Sequence, residues 1–332
     1  MENRVAGPRL THAGKIKFAA ETIDEKAPAA RLAQRVNQAD DFARRAANRR
    51  GIVCMSGAMA AFIVNDALVK YASQTMPAAQ LIFVRGLMAT LLVFAVAYTL
   101  GATTRLKDAA GGWVALRAIV DACATMLYLG SLFHLPIANA TAINLASPLF
   151  MIVFAVFFMS ERVGVVRWVA IGAGFFGVLL VIQPRADGFN VWALVCLAGT
   201  LCHAARDLLT RRVAAGVPSI LITLATAVAV TILSGALSLI EGWQPFGWFE
   251  TGLLAAASVF LALGYQLIIT SMRHGEMSLV APFRYSGLLF ALLLGYLVWG
   301  DVPNILAWCG IALLIGSGLY MLQGERQRRR GE

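Results

Sequence analysis

The stretch from Ser131 to Glu161, SLFHLPIANATAINLASPLFMIVFAVFFMSE, is written twice in this chain. Moved forward by 140 positions (271 − 131), it meets SMRHGEMSLVAPFRYSGLLFALLLGYLVWGD, Ser271 to Asp301, without a gap. Ser131 falls on Ser271, His134 on His274, Phe150 on Phe290 and Glu161 on Asp301. The same register carries Trp168 onto Trp308, Ile171 onto Ile311 and Gln183 onto Gln323. Leucines and alanines would coincide by chance in so apolar a chain. Pairs of Trp, His and Gln in one register would not, and the sequence is read as an internal duplication.

Composition says what kind of repeat this is. The chain of 332 residues is 59% hydrophobic and only 14% charged, where soluble domains carry about a quarter. Charge crowds into residues 1–50 and the last seven positions, and what lies between is a membrane domain. Residues 1–50 hold eleven Lys or Arg and six Asp or Glu. That segment has too little apolar surface to fold alone and is expected to be disordered. The alternative is a basic helix on an anionic membrane surface, since Leu32, Val36, Ala39 and Ala43 recur at helical spacing among Arg31, Arg35, Arg44 and Arg45. No apolar core leads to a small-residue cleavage site, so it does not read as a signal peptide. The implied partner is the lipid bilayer, and no nucleic acid is expected.

From Gly51 onward apolar stretches follow one another, each near the ~20 residues a helix needs to cross ~30 Å of hydrocarbon. They fall at 52–71, 78–100, 112–132, 137–159, 165–183, 190–210, 218–240, 247–271, 277–299 and 303–322. The fold class is therefore an all-α integral membrane protein of ten transmembrane helices in two five-helix repeats, 51–183 and 190–323, with a basic tail at 324–332. The opening helices of each half repeat with an offset of 141: Asp66 meets Asp207, Leu68 meets Leu209, Lys70 meets Arg211 and Pro77 meets Pro218.

Basic residues mark alternate connections. Arg105 and Lys107, Arg162 and Arg167, Arg211 and Arg212, Arg273 and both termini lie on one side, and the other connections offer only Arg185. The positive-inside rule makes that side cytoplasmic, the inner membrane of a bacterium being the expected location. A repeat of five helices leaves the membrane opposite to where it entered, so the second copy is inverted. Inverted repeats are the architecture of secondary transporters, with the binding site near the midplane.

The five cysteines, Cys54, Cys123, Cys196, Cys202 and Cys309, all fall inside apolar helices without metal-ligand spacing. They read as small packing residues, and no metal or cofactor is expected. Gly172, Gly174 and Gly177, with Gly310, Gly316 and Gly318, let backbones approach, within one chain or between the copies of a homodimer.

Polar residues inside the spans carry the functional signal, because a charge at the bilayer centre costs about 2.5 to 3.5 kcal/mol even on the lenient scale. Helix one has Asn65, Asp66 and Lys70, the last two a turn apart and able to pair with each other. Arg85 in helix two has no partner on its own helix and is a candidate for substrate binding or gating. Arg117 and Asp121 in helix three form either a structural bridge or a site where Asp121 couples protons to transport. In helix six, Arg206 and Asp207 stand near the membrane surface, to which they could snorkel, with His203 one turn deeper. Pro148 cannot donate to the carbonyl of Asn144, so helix four is expected to kink there and turn the Asn144 amide inward. Position 144 corresponds to Arg284, beside Tyr285 and Pro282. Arg284 opposite Asn144 would anchor an anionic group, unless it pairs with Asp121 or Asp66.

With these residues on view, the two halves resemble the twice-repeated EamA domain of the drug/metabolite transporter superfamily. The likeness covers about residues 51–323. It rests on Asn65, Asp66 and Lys70, on Arg85 after Pro77, on the run from Pro148 to Glu161, and on APFRYSGLLFALLLGYLVWGD at 281–301. It implies a non-enzymatic secondary transporter moving a small polar or amphipathic metabolite, amino-acid-like or related, by alternating access. The alternative is an importer of a vitamin or nucleoside-type compound such as riboflavin or S-adenosylmethionine. A scaffold would not need costly charges in both repeats, and no catalytic constellation is visible. Thr226 stands where Arg85 has its match, and Leu288 where Pro148 does, so the site is expected to be asymmetric.

Overall fold

A computed structural model describes residues 46–159, 165–182, 190–210, 212–214, 216–274 and 280–331. The expectation of disorder or a surface helix concerns residues outside that set, except that positions 46–50 already belong to the first helix. The helices are α1 (Ala46–Ala72), α2 (Ala78–Thr99), the short α3 (Leu106–Ala109), α4 (Gly112–Leu132), α5 (Ile137–Asn144), α6 (Ser147–Met159), α7 (Val165–Ile182), α8 (Val191–Thr210), α9 (Ser219–Glu241), α10 (Trp248–His274), α11 (Ser286–Trp299) and α12 (Ile305–Gly331). Eight stretches are long and apolar enough to cross a membrane, and Trp168–Ile182 and Ile305–Tyr320 are shorter apolar helices. Together they account for the ten spans read from the sequence. The backbone of the basic tail continues α12 through Gly331.

Local chemistry sets the boundaries. Pro77, Pro136 and Pro218 stand immediately before α2, α5 and α9 with φ of −58°, −53° and −59°. There a missing N–H leaves no carbonyl without a donor. Gly101 and Gly242, equivalent under the 141 offset, follow α2 and α9 with φ of +67° and +91°, a region that favours glycine.

The fourth span is interrupted, and the described part of the ninth opens on a 3-10 turn. After α5 the chain turns at Leu145 and Ala146 and restarts as α6 one residue before Pro148, with Ala146 N–H donating to Ile143 O at 3.0 Å and Leu149 N–H to Ala146 O at 2.9 Å. In the ninth span a 3-10 turn, Ala281–Tyr285, precedes α11. Prolines at 148 and 282, in non-equivalent positions, thus accompany irregular backbone in equivalent spans.

Packing follows the duplication. The closest associations pair α2 with α9, α7 with α12, and α4 with α8, while α1 lies on α10 through Phe62 against Tyr265 (5.4 Å between ring centroids) and Ser271 Oγ donating to Gly51 O at 2.7 Å. Exchanging the halves maps α2–α9 and α7–α12 onto themselves and turns α1–α10 into α8–α4. That is the signature of a two-fold axis relating the repeats, and Thr90 meets its own counterpart Thr231 near it, Oγ1 to Oγ1 at 3.1 Å. Close approach needs small residues: a Cβ on Gly177 would lie 2.7 Å from Gly310 O.

Two faces result. One carries Arg105, Lys107 and Arg212, the last over the ring of Trp113; it is called the basic face below. On the other, the connection after α9 is strapped to the start of α2. Glu241 accepts from Ala78 N–H (3.2 Å) and Ala79 N–H (2.6 Å), two of the donors a helix start leaves unpaired. Gln80 and Gln244 exchange hydrogen bonds of 2.8 and 2.9 Å. Apolar side chains such as Leu91, Ile232, Leu239, Ile240 and Leu297 cover the outside of the bundle, as lipid requires.

The strap connection is expected outside the cell. Pro245→Cys, at an exposed position, should react with a membrane-impermeant thiol reagent in intact cells, and Lys107→Cys only after permeabilisation. The opposite pattern reverses the orientation.

Candidate functional site

Charged and polar side chains gather in two clusters, one in each half of the membrane thickness. The cluster nearer the strap face is sealed. Asn65, Asp66, Arg85 and Asp121 are respectively 2%, 9%, 4% and 3% exposed, and the first three belong here. Asp66 Oδ1 accepts from the Asn65 amide at 2.9 Å and Oδ2 from the Tyr128 hydroxyl at 3.0 Å. Arg85 Nη1 donates to Asn65 Oδ1 at 3.2 Å, and its backbone carbonyl accepts from Ser258 Oγ of α10 at 3.2 Å.

Lys70 stands one turn closer to that face. The pairing of Lys70 with Asp66 that the sequence allowed does not occur. Its Nζ donates to the Leu135 carbonyl and lies 5.2 Å from the centroid of Trp299, within electrostatic reach of Asp301. Lys70 therefore ties the start of the fourth span to the end of the ninth and closes the bundle on the strap side.

The second cluster lies toward the basic face. Asp121 is held by Arg206 Nη1 at 2.8 Å and by Arg117 Nη1 at 3.5 Å. Arg206 also grips Asp207 Oδ1 through Nε (3.0 Å) and Nη2 (2.8 Å). Arg117 donates further to Thr210 Oγ1 (2.9 Å) and Thr226 Oγ1 (2.8 Å). The bridge within α4 is thus one link of a four-charge chain, and Arg206 does not snorkel: a carboxylate on a neighbouring helix offers a better partner than the interface. His203 Nδ1 lies 2.9 Å from Asn144 Oδ1, so the imidazole donates to the amide freed by the break in the fourth span.

Arg284 is electrostatically coupled to Asp207 and Arg206, and among the described residues no ion pair with Asp121 or Asp66 forms. Arg284 and Asn144 converge on one face of α8, where His203, Arg206 and Asp207 are spaced by a turn. Tyr285 remains electrostatically coupled to Arg284, while its hydroxyl occupies the space that a side chain at Gly318 would fill and so also packs against α12.

Tyr265 of α10 keeps 36% of its surface open although it stands among Asp121, Arg206, Arg117 and Arg85. Asp207 and Arg206 keep 33% and 19% of their side-chain surface open. Open surface on groups in the middle of a bundle belongs to an internal space. The second cluster thus keeps open surface, whereas Asn65, Asp66 and Arg85 of the first are buried.

The profile of the EamA-like transporter family matches this chain twice, at residues 49–183 and 190–323. The chain is an EamA-like transporter. A riboflavin transporter of Vibrio cholerae is 28% identical over 286 residues, covering 85% of this chain and 96% of its own. A pseudopaline exporter of Pseudomonas aeruginosa is 28% identical over 269 residues, 80% of this chain and 94% of its own. An S-adenosylmethionine uptake transporter of Rickettsia conorii is 23% identical over 192 residues, 58% of this chain and 65% of its own. A solved crystal structure superposes with a TM-score of 0.58 at 18% identity, covering 84% of this chain and 99% of that one, and speaks to the fold alone. The EamA-like chain is thus a multi-pass membrane protein whose relatives carry small metabolites in both directions.

Two site residues of this transporter escaped the sequence reading. Tyr128 lies two turns from Asp121 on the same face of α4, a spacing that could have exposed it. Tyr265 had no such signal, since its role depends on how α10 crosses α4 and α8.

The four-charge chain makes a stability prediction. Asp121→Asn strands Arg117 and should cost about 3 kcal/mol, the low end for stranding a buried charge. Arg117→Gln in the same chain should restore most of the loss, because Arg206 and Asp207 remain a closed pair. Denaturation of the purified variants measures both, and a double variant no more stable than the single one refutes the scheme.

Proposed function

We propose that this EamA-like protein is a secondary transporter that carries a small polar or amphipathic metabolite bearing an anionic group, by alternating access of its two inverted repeats. The observation that supports it is the inequality of the two clusters. The groups toward the basic face keep open surface, which we read as the wall of a cavity, and their counterpart toward the strap face is shut by Lys70 and the Glu241 strap. With the basic face in the cytoplasm, this is the conformation open to the cytoplasm.

The cavity carries Arg117, Arg206 and Arg284 against Asp121 and Asp207, an excess of one positive charge. Among the described residues Arg117, Arg206, Asp121 and Asp207 pair with one another, and Arg284, which feels Asp207 without an ion pair to it, is read as the cation for a ligand. A guanidinium offers planar, paired donors that match a carboxylate or phosphate, which a Lys ammonium meets only as a point charge. His203 and Asn144 stand ready to orient the rest of the substrate. A vitamin-type substrate is the second reading. It is favoured by Tyr265, whose open ring could stack on a flat heterocycle, and by the relatives named for riboflavin and S-adenosylmethionine.

A thermal-shift screen of the purified protein against flavins, amino acids and adenosyl compounds should yield a ligand that stabilises it by mass action. Arg284→Lys should fold normally yet bind that ligand at least tenfold more weakly, about 1.4 kcal/mol. Asn144→Ala should weaken it less. Binding by the Lys variant within about twofold of the parent rules Arg284 out as the anchor. Counterflow of the labelled ligand in proteoliposomes tests transport itself.

A further inference from the structure

We propose that Asp66 is a proton-binding site of the transport cycle: it holds a proton while the strap-side half is sealed, and releases it to water when that half opens. The proposal rests on the transporter reading above and adds a coupling site to it.

The sealed cluster is incomplete in a particular way. Asp66 is buried, yet both groups on its carboxyl are neutral, the Asn65 amide at 2.9 Å and the Tyr128 hydroxyl at 3.0 Å. Among the described residues no cation lies within ion-pair distance of it, although Arg85 is one amide away. Arg85 stops at Asn65 Oδ1, and its Nε has no hydrogen-bond partner despite being buried. Thr141 Oγ1 on α5 is likewise buried with no partner at full hydrogen-bond geometry, although it is close enough to the Tyr128 hydroxyl to act on it. Burying a carboxylate charge without a cation costs far more than burying the neutral acid. An aspartate and an arginine in one dry pocket would join directly if both were charged and nothing else were gained by keeping them apart.

A proton on Asp66 accounts for the missing cation and for Thr141. With Oδ2 protonated, that oxygen donates to the Tyr128 hydroxyl oxygen, since a phenol both donates and accepts. The Tyr128 hydrogen is then free for Thr141 Oγ1. Asp66 is neutral, and Arg85 has no reason to leave Asn65. Opening reverses this. The proton leaves Oδ2 for water, the carboxylate becomes charged, and Arg85 swings past Asn65 to pair with it. Nothing is oxidised or reduced, and one proton moves.

The groups facing Asp66 from every packed element support the exchange. Arg85 comes from α2, Tyr128 from α4, Thr141 from α5, Cys196 of α8 sits beyond Tyr128, and Lys70 on its own helix is committed to Leu135 and Trp299. Through its carbonyl, Arg85 is bonded to Ser258 of α10, so its movement is felt in the second repeat. Tyr128 also lies 6.0 Å from the His203 ring, ring centre to ring centre, which places the proton site beside the cavity. The corresponding positions in the other half are Arg206, Asp207 and Thr226, where aspartate and arginine are already joined at 2.8 Å. That cluster, open to the cavity, shows the ionised arrangement which the sealed one is proposed to reach on opening.

Because the sealed state binds the proton more tightly than the open one, lowering the pH favours sealing and raising it favours opening. Infrared difference spectra of the protein in nanodiscs, recorded between acid and alkaline pH, test the site without any substrate. The wild type should show the carbonyl stretch of a protonated carboxylic acid, absent in Asp66→Asn and retained in Asp121→Asn. If Asp66→Asn fails to fold, Asp66→Glu should move the band instead. A spectrum unchanged by either substitution overturns the proposal.

Coupling to opening is read separately, with Ala67→Cys in a chain whose own cysteines are replaced. Its labelling by a water-soluble thiol reagent is compared at each pH with the same substitution in the Asp66→Asn background, which cancels the reagent's own pH dependence. The ratio should rise several-fold with pH, and a flat ratio means that Asp66 does not govern opening. Neither measurement involves the ligand screen or Arg284, so failure here is distinct from failure of the transport reading.

Discussion

In a bilayer no water waits to rescue an unpaired charge, and the charged side chains described within the spans take their partners under that constraint. A soluble protein can leave Arg206 or Lys70 to the solvent. Here Arg206 spans two carboxylates on two helices, and Lys70 reaches a backbone carbonyl and an aromatic face across the bundle. The helices are held in rotation by these partners as much as by their apolar surfaces, which lipid would cover equally well in any rotation. Packing of small residues then fixes the distances, as where Gly177 and Gly310 bring α7 and α12 together.

Duplication with inversion turns one polar site into two. The Asn65–Asp66 and Arg206–Asp207 dipeptides are the same position of the repeat, yet inversion puts one toward each face. Their sequences have diverged by moving the arginine. In the first half it is on the second helix as Arg85 and the first helix has Asn65. In the second half it is on the first helix as Arg206 and the second has Thr226. An arginine next to its aspartate closes on it at once. An arginine across an amide can be either joined or apart, so the divergence makes one cluster a fixed support and the other a changeable one.

Much of this was legible in the residues alone. The repeat gave ten spans and their inversion, because Trp, His and Gln matches survive where leucines carry no information. Pro148 gave the break in the fourth span, since a missing N–H acts locally and needs no tertiary context. Partnerships were harder. Asp66 and Lys70 sit one turn apart and look like a pair, but Lys70 can reach Leu135 and Trp299, which are distant in sequence. Tyr285 is coupled to Arg284 beside it, but its hydroxyl also fills the space at Gly318, a contact no local pattern announces. Both cases have the same physical origin: the direction of a polar side chain in a membrane is decided by whichever helix offers a partner, and helix adjacency is not written locally.

The symmetry also limits what can move. In the alternating-access cycle proposed above, exchange of the halves maps α2–α9 and α7–α12 onto themselves, so their contacts can survive unchanged. That suits the tight surfaces found there, with Thr90 on Thr231 and Gly177 against Gly310, because close backbone packing leaves little room to slide. The pairs α1–α10 and α8–α4 are instead mapped onto each other, and they must take each other's geometry when the open side closes. Of the titratable and charged groups, Asp66, Tyr128, Asp121, His203, Arg206 and Tyr265 lie on these four helices, while Arg85 reaches in from α2 and Arg284 from the ninth span. Most of the polar groups are thus on the helices exchanged by the symmetry, and the tight glycine and threonine contacts on the pairs mapped onto themselves.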